Sequence, residues 1–324
     1  MTHAVRIHQT GGPEVLRYEE VPLGEPGPGE VRLRQTAIGL NFIDTYHRSG
    51  LYPLPELPAV LGREAAGVVE VVGEGVDDLH PGDRVAYAMI AGSYAVARNA
   101  PADRLARLPD GIDERTAAAA MLKGLTAHYL LRRTYRVKSG DTILVHAAAG
   151  GVGLILTQWA RSLGATVIGT VGTPEKAELA RVHGCDHTVL YDREDLVARV
   201  REITDGDGVP VVYDSVGRAT FERSLDCLAP LGLMVSFGNS SGAVEPVALG
   251  PLAAKGSLFL TRPTLATYIA RRTDLEQNAA ELFEVLGNGS VRIEIRQTYP
   301  LAEAERAHRD LESRRTSGSS LLLP

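Results

Sequence analysis

The residues best placed to bind a ligand form a glycine-rich segment near the middle of the chain, Asp141 to Gly153. Its first half predicts a short apolar β-strand, and Ala147, Gly150 and Gly153 follow in an A-x-x-G-x-x-G pattern. Related patterns bind dinucleotides, because small residues let the backbone turn tightly and approach a pyrophosphate. A helix predicted from Gly151 to Leu163 would direct its unpaired N–H groups at that anion. The pattern also occurs in plain strand-to-helix connections, so the neighbouring elements decide between the two interpretations.

Repeated strand and helix units follow this segment. The predicted strands are 166–171, 187–191, 209–214 and 232–238, and the predicted helices are 174–182, 194–203 and 219–228. Thr173 is the expected N-cap of the helix that starts at Pro174. Strands that alternate with helices predict a parallel sheet covered on both faces. The middle of the chain is therefore predicted to be an α/β, doubly wound Rossmann domain.

The end of the second strand in this region bears on which nicotinamide cofactor would bind. An NAD site usually presents an acidic side chain here, about 20 residues after the glycines, to the ribose 2′-hydroxyl. Residues 165–174 contain no acidic side chain, and Lys176 follows in the next turn. Lys176, Thr173 and a phenol such as Tyr191 could hold a 2′-phosphate, which a carboxylate would repel. The pattern favours NADPH over NADH, although a lysine beside Glu175 is also typical of a solvated helix surface.

Proline and glycine punctuate the first part of the chain every few residues. The predicted strands between them are 4–8, 31–37, 65–72, 84–89 and 94–97. Many short strands separated by turn residues predict a small β-barrel. The last 60 residues predict a helix over 275–286 and strands near 291–295 and 321–323, which are compatible with completing that barrel.

Composition narrows the functional classes. The 324 residues, 44% hydrophobic and 23% charged, are typical of a globular protein with two domains. The net charge of −6 and the lack of a basic run argue against nucleic acid as a principal partner. No apolar run approaches the roughly 18 residues that span a bilayer, and the N-terminus has no signal-peptide core. We therefore expect a cytoplasmic protein without a membrane partner.

The sequence predicts no metal site. Its two cysteines, Cys185 and Cys227, do not have zinc-ligand spacing and cannot form a disulfide framework. His146 is interpreted as a strand-end residue. His183 and His187 lie in a helix-to-strand connection without a nearby thiolate.

Nine segments, in order over essentially the whole chain, carry a resemblance to one known family. They are 11–16, 39–46, 48–53, 67–83, 123–127, 146–153, 212–217, 235–241 and 318–322. The chain resembles the quinone oxidoreductase (zeta-crystallin-like) branch of the medium-chain dehydrogenase/reductase superfamily. The resemblance implies a GroES-like β-barrel catalytic domain made of residues 1–125 plus 263–324. It also implies an inserted Rossmann NADPH-binding domain, residues 126–262, with the active site in the cleft between the domains.

The resemblance also implies hydride transfer without a metal. In zinc-dependent members of the superfamily a zinc-binding cysteine stands at the position of Asn41 and a zinc-binding histidine at that of Arg63, and four structural cysteines are missing here. Without a Lewis acid to stabilise an alkoxide, alcohol oxidation is poorly supported. Quinones and conjugated enones fit better, because the developing charge delocalises onto an oxygen.

We therefore expect NADPH-dependent reduction of quinones, with a small-molecule quinone or enone as the substrate. Two alternatives stay open. One is an NADPH-dependent reductase of alkenal or enone double bonds. The other is a non-catalytic NADPH-binding protein, crystallin-like or RNA-binding. Relatives are commonly dimers, so a homodimer is expected.

Residue roles carry over to matching positions of this sequence. Asn41, Tyr46 and Tyr52 are the catalytic candidates, since each could donate a hydrogen bond to the acceptor oxygen. Alternatively, the tyrosines pack against neighbouring prolines and Asn41 supports a turn. Asp44 is interpreted as structural.

The implied cofactor contacts form four groups. They are Gly150, Gly151, Val152 and Gly153 at the pyrophosphate; Gly172, Thr173, Lys176 and Tyr191 at the 2′-phosphate; Ser215, Phe237, Gly238, Asn239 and Ser240 at later strand ends; and Phe42, Tyr46, Tyr129, Pro263, Thr264 and Leu265 at the nicotinamide. Arg314 matches a family arginine that reaches the cofactor. Because Arg315 follows it directly, either arginine could make that contact.

Overall fold

The computed structural model describes all 324 residues, which form two compact units. Unit 1 comprises Met1–Leu125, Tyr268–Gly287 and Ile293–Pro324, and unit 2 comprises Thr126–Thr267 and Asn288–Arg292. The division into a catalytic domain of 1–125 plus 263–324 and an NADPH-binding domain of 126–262 stays a prediction. No helix combines the length and the apolar composition that a membrane crossing needs.

The N-terminal part of unit 1 is mostly β-structure. Its strands are β1 (Thr2–Ile7), β2 (Arg17–Val21), β3 (Glu30–Leu40), β4 (Ala59–Val60), β5 (Glu64–Val72), β6 (Arg84–Ala88), β7 (Ala97–Pro101) and β8 (Ala106–Arg107). The helix α1 (Phe42–Ser49) follows β3, and α2 (Glu114–Tyr129) follows β8. Strand β3 shows why these segments form strands, because its side chains alternate between the two faces of the sheet. Val31 and Leu33 are buried, whereas Arg34, on the opposite face, is exposed.

Unit 2 alternates strands and helices, as predicted. Its elements are β9 (Thr142–Val145), α3 (Gly151–Ser162), β10 (Thr166–Val171), α4 (Pro174–Val182), β11 (His187–Leu190), α5 (Leu196–Ile203), β12 (Val209–Asp214), α6 (Phe221–Asp226), β13 (Leu228–Ser236), α7 (Gly250–Ala254), β14 (Phe259–Thr261) and α8 (Leu265–Tyr268). The six strands are parallel in the order β11-β10-β9-β12-β13-β14. Leu144, Ile168, Val212 and Met234 lie in its buried core.

The C-terminal segments of unit 1 return to its sheet. They contain α9 (Arg272–Gly287), β15 (Ile295–Pro300), α10 (Ala304–Glu312) and β16 (Ser319–Leu323). Strand β16 pairs antiparallel with β3, so that Leu321 faces Gly39, and the sheet order is β15-β16-β3-β5-β6-β8, with β7 also pairing with β3. A second, three-stranded sheet has the order β2-β1-β4. The terminal strand therefore completes the sheet, as its sequence suggested.

Two predicted strands were wrong. The strand predicted at 94–97 begins only at Ala97, and the preceding residues form a single bridge, Ala4 to Ala95. Tyr94 is fully buried, and its carbonyl accepts a hydrogen bond from the Val5 N–H of β1 at 2.8 Å without a continuous ladder. The strand predicted at 291–295 instead runs from Ile295 to Pro300, because its pairing with β16 sets its register.

The elements without a sequence prediction are β2, β4, β8, β14, α1, α2, α7, α8 and α10. Helix α1 lacks an apolar stripe, because the side chains that it buries include Asp44, Thr45, His47 and Arg48. Helix α10 buries only Ala304, Ala307 and His308. Small and hydrogen-bonded polar side chains give no apolar periodicity, which is the signal that predicts a helix.

We expect two valines of β5 to differ sharply in their contribution to stability. Val69 is 1% exposed within the core of unit 1, whereas Val71 is 37% exposed. Val69→Ala should lower the free energy of unfolding by about 2 kcal/mol, because it removes two buried methyl groups and leaves a cavity. Val71→Ala, the matched control, should change it by less than about 0.5 kcal/mol. Thermal unfolding of the full chain measures both, and equal shifts would contradict the difference in burial between the two positions.

Candidate functional site

A tight turn joins β9 to α3 in unit 2. Ala147 has a φ of 53°, and the Gly150 N–H donates to its carbonyl at 2.9 Å. A Cβ at Gly153 would lie 2.3 Å from the same carbonyl oxygen, so a side chain does not fit there. Gly150 is the N-cap of α3, whose first residues are Gly151, Val152 and Gly153. The N–H groups of this first turn have no helical acceptor, and a helix N-terminus of this kind favours an anion.

A buried polar cluster ties this turn to the neighbouring strands. His146 follows β9, with its Nδ1 2.9 Å from Thr170 Oγ1 of β10 and its Nε2 2.9 Å from Ser224 Oγ of α6. The Ser224 hydroxyl donates to Asp214 Oδ2 at the end of β12, at 3.1 Å. Burial lowers the pKa of His146, so the imidazole is neutral. His146 is thus a buried strand-end residue held by hydrogen bonds.

The end of β10 and the start of α4 gather the residues expected at a 2′-phosphate. Thr173 is the N-cap of α4, and its hydroxyl accepts a hydrogen bond from the Lys176 N–H at 3.3 Å. Tyr191 follows β11, and a Cβ on Gly172 would lie 2.9 Å from its hydroxyl oxygen. Gly172 and Tyr191 therefore lie together, and the backbone of Lys176 lies in the turn that Thr173 caps. Residues 165–174 contain no acidic side chain, but the Glu175 carboxylate accepts hydrogen bonds from its own N–H and from the Thr173 hydroxyl, which lower the pKa of Glu175.

The residues that follow β12 and β13 lie against each other. The Ser240 N–H donates to the Ser215 carbonyl at 3.2 Å, and a Cβ on Gly238 would lie 2.5 Å from that carbonyl oxygen. Phe237 and Asn239 belong to the same loop. Ligands of parallel sheets bind outside this carboxyl edge.

Other cofactor candidates are distributed over the chain. Pro263 and Thr264 follow β14, and Leu265 begins α8. Tyr129 ends α2 and is buried. Arg314 follows α10 in unit 1.

The two adjacent arginines after α10 make different contacts. Arg315 Nη2 lies 2.6 Å from Asp310 Oδ1, and its Nε donates to the Ser313 hydroxyl at 2.9 Å. Arg314 has a φ of 59°, and its N–H donates to the Leu311 carbonyl at 3.1 Å. The guanidinium of Arg315 is therefore held within its own segment.

Helix α1 and the loop after it carry the acceptor-side candidates of unit 1. The ring centroids of Tyr46 and Tyr52 lie 5.2 Å apart in an edge-to-face arrangement, and those of Phe42 and Tyr46 lie 6.4 Å apart. The Tyr52 N–H donates to the Tyr46 carbonyl at 3.0 Å. Tyr46 is buried, and Phe42 and Tyr52 are half-buried. These three rings form one aromatic cluster, and packing of the tyrosines against the neighbouring prolines stays a prediction.

Asn41 binds a buried carboxylate immediately before α1. Its Nδ2 donates to Glu64 Oε2 at 2.8 Å and approaches the Gly39 carbonyl at 3.4 Å. Lys123 Nζ donates to the same Glu64 oxygen at 2.9 Å, and the Leu122 N–H donates to the other at 2.6 Å. One amide N–H of Asn41 is thus engaged with Glu64, and its role as a donor to an acceptor oxygen stays a prediction.

Sequence reasoning missed Glu64 and Lys123. Glu64 is fully buried and Lys123 is 5% exposed. Each directly adjoins a run of small and apolar residues, Ala65 to Val69 and Ala117 to Leu122 respectively. Such a charge must find a partner when the run is buried, and that was the available signal.

The positions that match zinc ligands in other members of the superfamily do not suit a metal. The Asn41 amide is bound to Glu64, and Arg63 presents a guanidinium, with Nη2 3.0 Å from His47 Nε2. A guanidinium has no lone pair to offer a cation. No group of three or more His, Cys, Asp or Glu side chains is arranged to hold a metal ion. Burial also raises the pKa of both cysteine thiols to about 12.

Comparison with known proteins identifies relatives of both parts of the chain. The family described as "Alcohol dehydrogenase GroES-like domain" matches residues 27–134, and that described as "Zinc-binding dehydrogenase" matches residues 151–284. The chain is 56% identical to a quinone oxidoreductase of Pseudomonas aeruginosa, with all of both chains covered. It is 49% identical to a 2-haloacrylate reductase of a Burkholderia species, with 100% of this chain and 99% of the relative covered.

The solved structure of Escherichia coli quinone oxidoreductase complexed with NADPH has the same fold. It superimposes with a TM-score of 0.98 at 54% identity, covering 99% of this chain and all of that one. The α/β fold, with a GroES-like part and a Rossmann sheet, is therefore the one that the sequence predicted. The chain belongs to the quinone oxidoreductase family of the medium-chain dehydrogenase/reductase superfamily.

Proposed function

We propose that this protein uses NADPH to reduce quinones by hydride transfer without a metal ion. The observation that carries the proposal is the end of β10, where Tyr191 lies against Gly172, Thr173 caps α4 one turn from Lys176, and residues 165–174 contain no acidic side chain. The Escherichia coli relative, solved as a complex with NADPH, supports the same cofactor.

In this proposal the protein binds NADPH mainly through unit 2, and NADPH supplies the hydride when bound. The N–H groups of Gly151, Val152 and Gly153 would hold the pyrophosphate at the N-terminus of α3. The Lys176 ammonium, with the Thr173 and Tyr191 hydroxyls, would hold the 2′-phosphate. The remaining proposed contacts are Phe42, Tyr46, Tyr129, Ser215, Phe237, Gly238, Asn239, Ser240, Pro263, Thr264, Leu265 and Arg314.

On the acceptor side we propose the phenols of Tyr46 and Tyr52. A phenolic hydroxyl can donate a hydrogen bond to the oxygen on which negative charge develops. Asn41 stays a third candidate donor, and its bond to Glu64 would fix the orientation of its amide. Conjugated double-bond acceptors are the second candidate substrate class, because a relative of 49% identity is named 2-haloacrylate reductase.

An acceptor panel tests the proposed activity. NADPH oxidation is followed with 1,4-benzoquinone, naphthoquinones, 2-alkenals and 2-haloacrylate, and each reaction is repeated with NADH and after incubation with a chelator. We expect turnover with at least one quinone, preference for NADPH, and no loss of rate with the chelator. Gly153→Ala is the negative control for contaminating activity, since its new methyl group would meet the Ala147 carbonyl.

Each outcome of the panel is informative. Faster turnover of alkenals or 2-haloacrylate than of any quinone would favour the second candidate class. If none of the acceptors increases the rate of NADPH oxidation, the result would support a cofactor-binding protein without turnover. A rate that falls with the chelator and returns with zinc would contradict the metal-free mechanism.

Lys176→Ala should weaken NADPH binding selectively. The loss of a charge-assisted contact to the 2′-phosphate should raise the Kd for NADPH by roughly 10- to 100-fold and leave the Kd for NADH nearly unchanged. Calorimetric titration with both cofactors measures this difference. Lys138→Ala, which removes an exposed lysine elsewhere in unit 2, is the matched control. Equal losses for the two cofactors would remove Lys176 from the phosphate site.

We further propose that the protein is a homodimer joined through the edge of the unit 2 sheet. Strand β14 ends that sheet and pairs only with β13. Phe259 is 58% exposed on this strand, beside Leu260, which is also exposed. An open strand edge with apolar side chains can pair with the same edge of a second copy about a twofold axis.

Phe259→Asp should therefore shift the protein towards monomer. A charge at this edge would be desolvated on pairing, which disfavours association. Light scattering coupled to size-exclusion chromatography measures the mass. Val182→Asp, at another exposed apolar position of unit 2, should leave the mass unchanged. A wild-type monomer, or a dimer unaffected by Phe259→Asp, would exclude this interface.

A further inference from the structure

Asp44 is a buried carboxyl group that the proposed reaction does not use. It lies in the first turn of α1 and is 1% exposed. Its Oδ2 accepts hydrogen bonds from the Asn41 N–H at 2.9 Å and from the Tyr94 hydroxyl at 3.0 Å. Its Oδ1 is buried without a hydrogen-bond partner. One oxygen therefore holds two donors, and the other is unsatisfied.

Donor and acceptor roles are fixed along a line of hydrogen bonds that begins at Arg48. Arg48 Nη1 lies 3.1 Å from His308 Nδ1, and a guanidinium can only donate, so Nδ1 is the accepting nitrogen. The neutral ring then carries its hydrogen on Nε2, which lies 3.0 Å from the Tyr94 hydroxyl oxygen and donates to it. The single hydrogen of Tyr94 is left for Asp44. This direction suits an ionised Asp44, which only accepts.

The far end of the line does not exchange protons. The Arg48 guanidinium donates to both Glu312 oxygens, at 2.9 and 2.7 Å, and to the Gly11 carbonyl at 3.1 Å. Arginine does not release its proton in proteins. Burial and the charge of Arg48 lower the pKa of His308 to about 3, so this ring stays neutral near neutral pH. Asp44 is then the group of the line that can titrate there.

The surroundings of Asp44 support titration near neutrality. Burial raises its pKa to about 7, against the opposing effect of the hydrogen bonds from Asn41 and Tyr94. The charge of Lys123 lowers the pKa and that of Glu64 raises it. Arg63 is the other charge that interacts with this carboxyl.

We propose that Asp44 is a positioning residue: its ionised form fixes the first turn of α1 against Tyr94, and its protonation loosens that turn and lowers turnover. The inference rests on the proposed function, because Tyr46 lies two residues further along the same helix. A neutral carboxyl loses the charge that strengthens both hydrogen bonds at Oδ2. The cap of α1 at Asn41, and with it the tyrosine cluster, then loses its fixed position.

The contribution of Asp44 to the stability of the fold should fall as the pH rises, whereas turnover should rise. Between the ordinary pKa of an aspartate and about 7, the folded chain binds more protons at Asp44 than the unfolded chain. The contribution of Asp44 to stability is therefore full below the unfolded pKa and is lost as the pH rises through 7. A fall in turnover on acidification across this range cannot then result from unfolding at this group.

The test is the pH profile of kcat/KM for a quinone acceptor between pH 5 and 9. The wild type should lose activity as the pH falls through about 7, approaching a tenfold loss per pH unit. Asp44→Asn should remove this acidic limb. Tyr94→Phe should move its midpoint up by about one to two pH units, because the ionised carboxylate loses a donor.

Tyr87→Phe is the matched control, since it removes the hydroxyl of another fully buried tyrosine that is bound to Gln35 instead. It should leave the midpoint unchanged. If Tyr94→Phe and Tyr87→Phe shift the profile equally, or Asp44→Asn retains the limb, the inference is overturned.

An infrared titration separates this inference from the proposed function. The carbonyl band of a protonated carboxylic acid should disappear between pH 5 and 9 in the wild type, and this change should be missing in Asp44→Asn. Absence of the band change in the wild type overturns the inference whether or not the enzyme turns over. A wild type that shows the band change but reduces no acceptor contradicts the proposed function instead.

Discussion

The buried carboxylate of Glu64 is the interaction on which the acceptor side of unit 1 depends. It is fully buried and binds the Asn41 amide, the Lys123 ammonium and the Leu122 N–H, all within 2.9 Å. These partners belong to the junction of β3 and α1 and to α2, so one carboxylate at the start of β5 joins three elements. Removing one partner of a buried ion pair leaves an uncompensated charge and costs several kcal/mol, roughly 3–5. The position of α1 is therefore strongly constrained at its N-terminus.

Unit 2 also has a buried polar cluster, at the turn after β9. Asp214, Ser224, His146 and Thr170 form a continuous buried set of hydrogen bonds that spans three strands and α6. The glycine-rich turn itself has few side chains that could fix it, because residues 147–153 are alanine, glycine and one valine. Its position is set instead by the polar residue that precedes it, and the close contact at Gly153 then directs the chain into α3.

The contrast between the units explains how much the sequence could predict. Strands 166–171 and 209–214 and helix 174–182 have the predicted bounds, because caps, prolines and apolar runs are local signals. Lys176 was identifiable for the same reason. Helix α1 was not, since its buried side chains are polar and their partners are distant in sequence: Arg48 and His308 are 260 residues apart, and Lys123 and Glu64 are 59 apart. The residues of a buried polar network do not recur at a regular spacing in the sequence, so no helix or strand pattern reveals them. Composition does not reveal which charged residues pair with each other.

These buried networks also bear on which acceptor the proposed reaction would favour. Lys123 neutralises Glu64, and the positions of Asn41 and Arg63 present an amide and a guanidinium, so this part of unit 1 offers no ligand set for a divalent cation. In the proposed reaction, the groups left to stabilise a developing oxyanion would be the phenols of Tyr46 and Tyr52. A hydrogen bond from a neutral phenol stabilises an oxyanion less than direct coordination to a metal does. The acceptor must therefore disperse most of the charge itself, and a quinone, whose reduction generates an aromatic ring, does so better than a simple ketone.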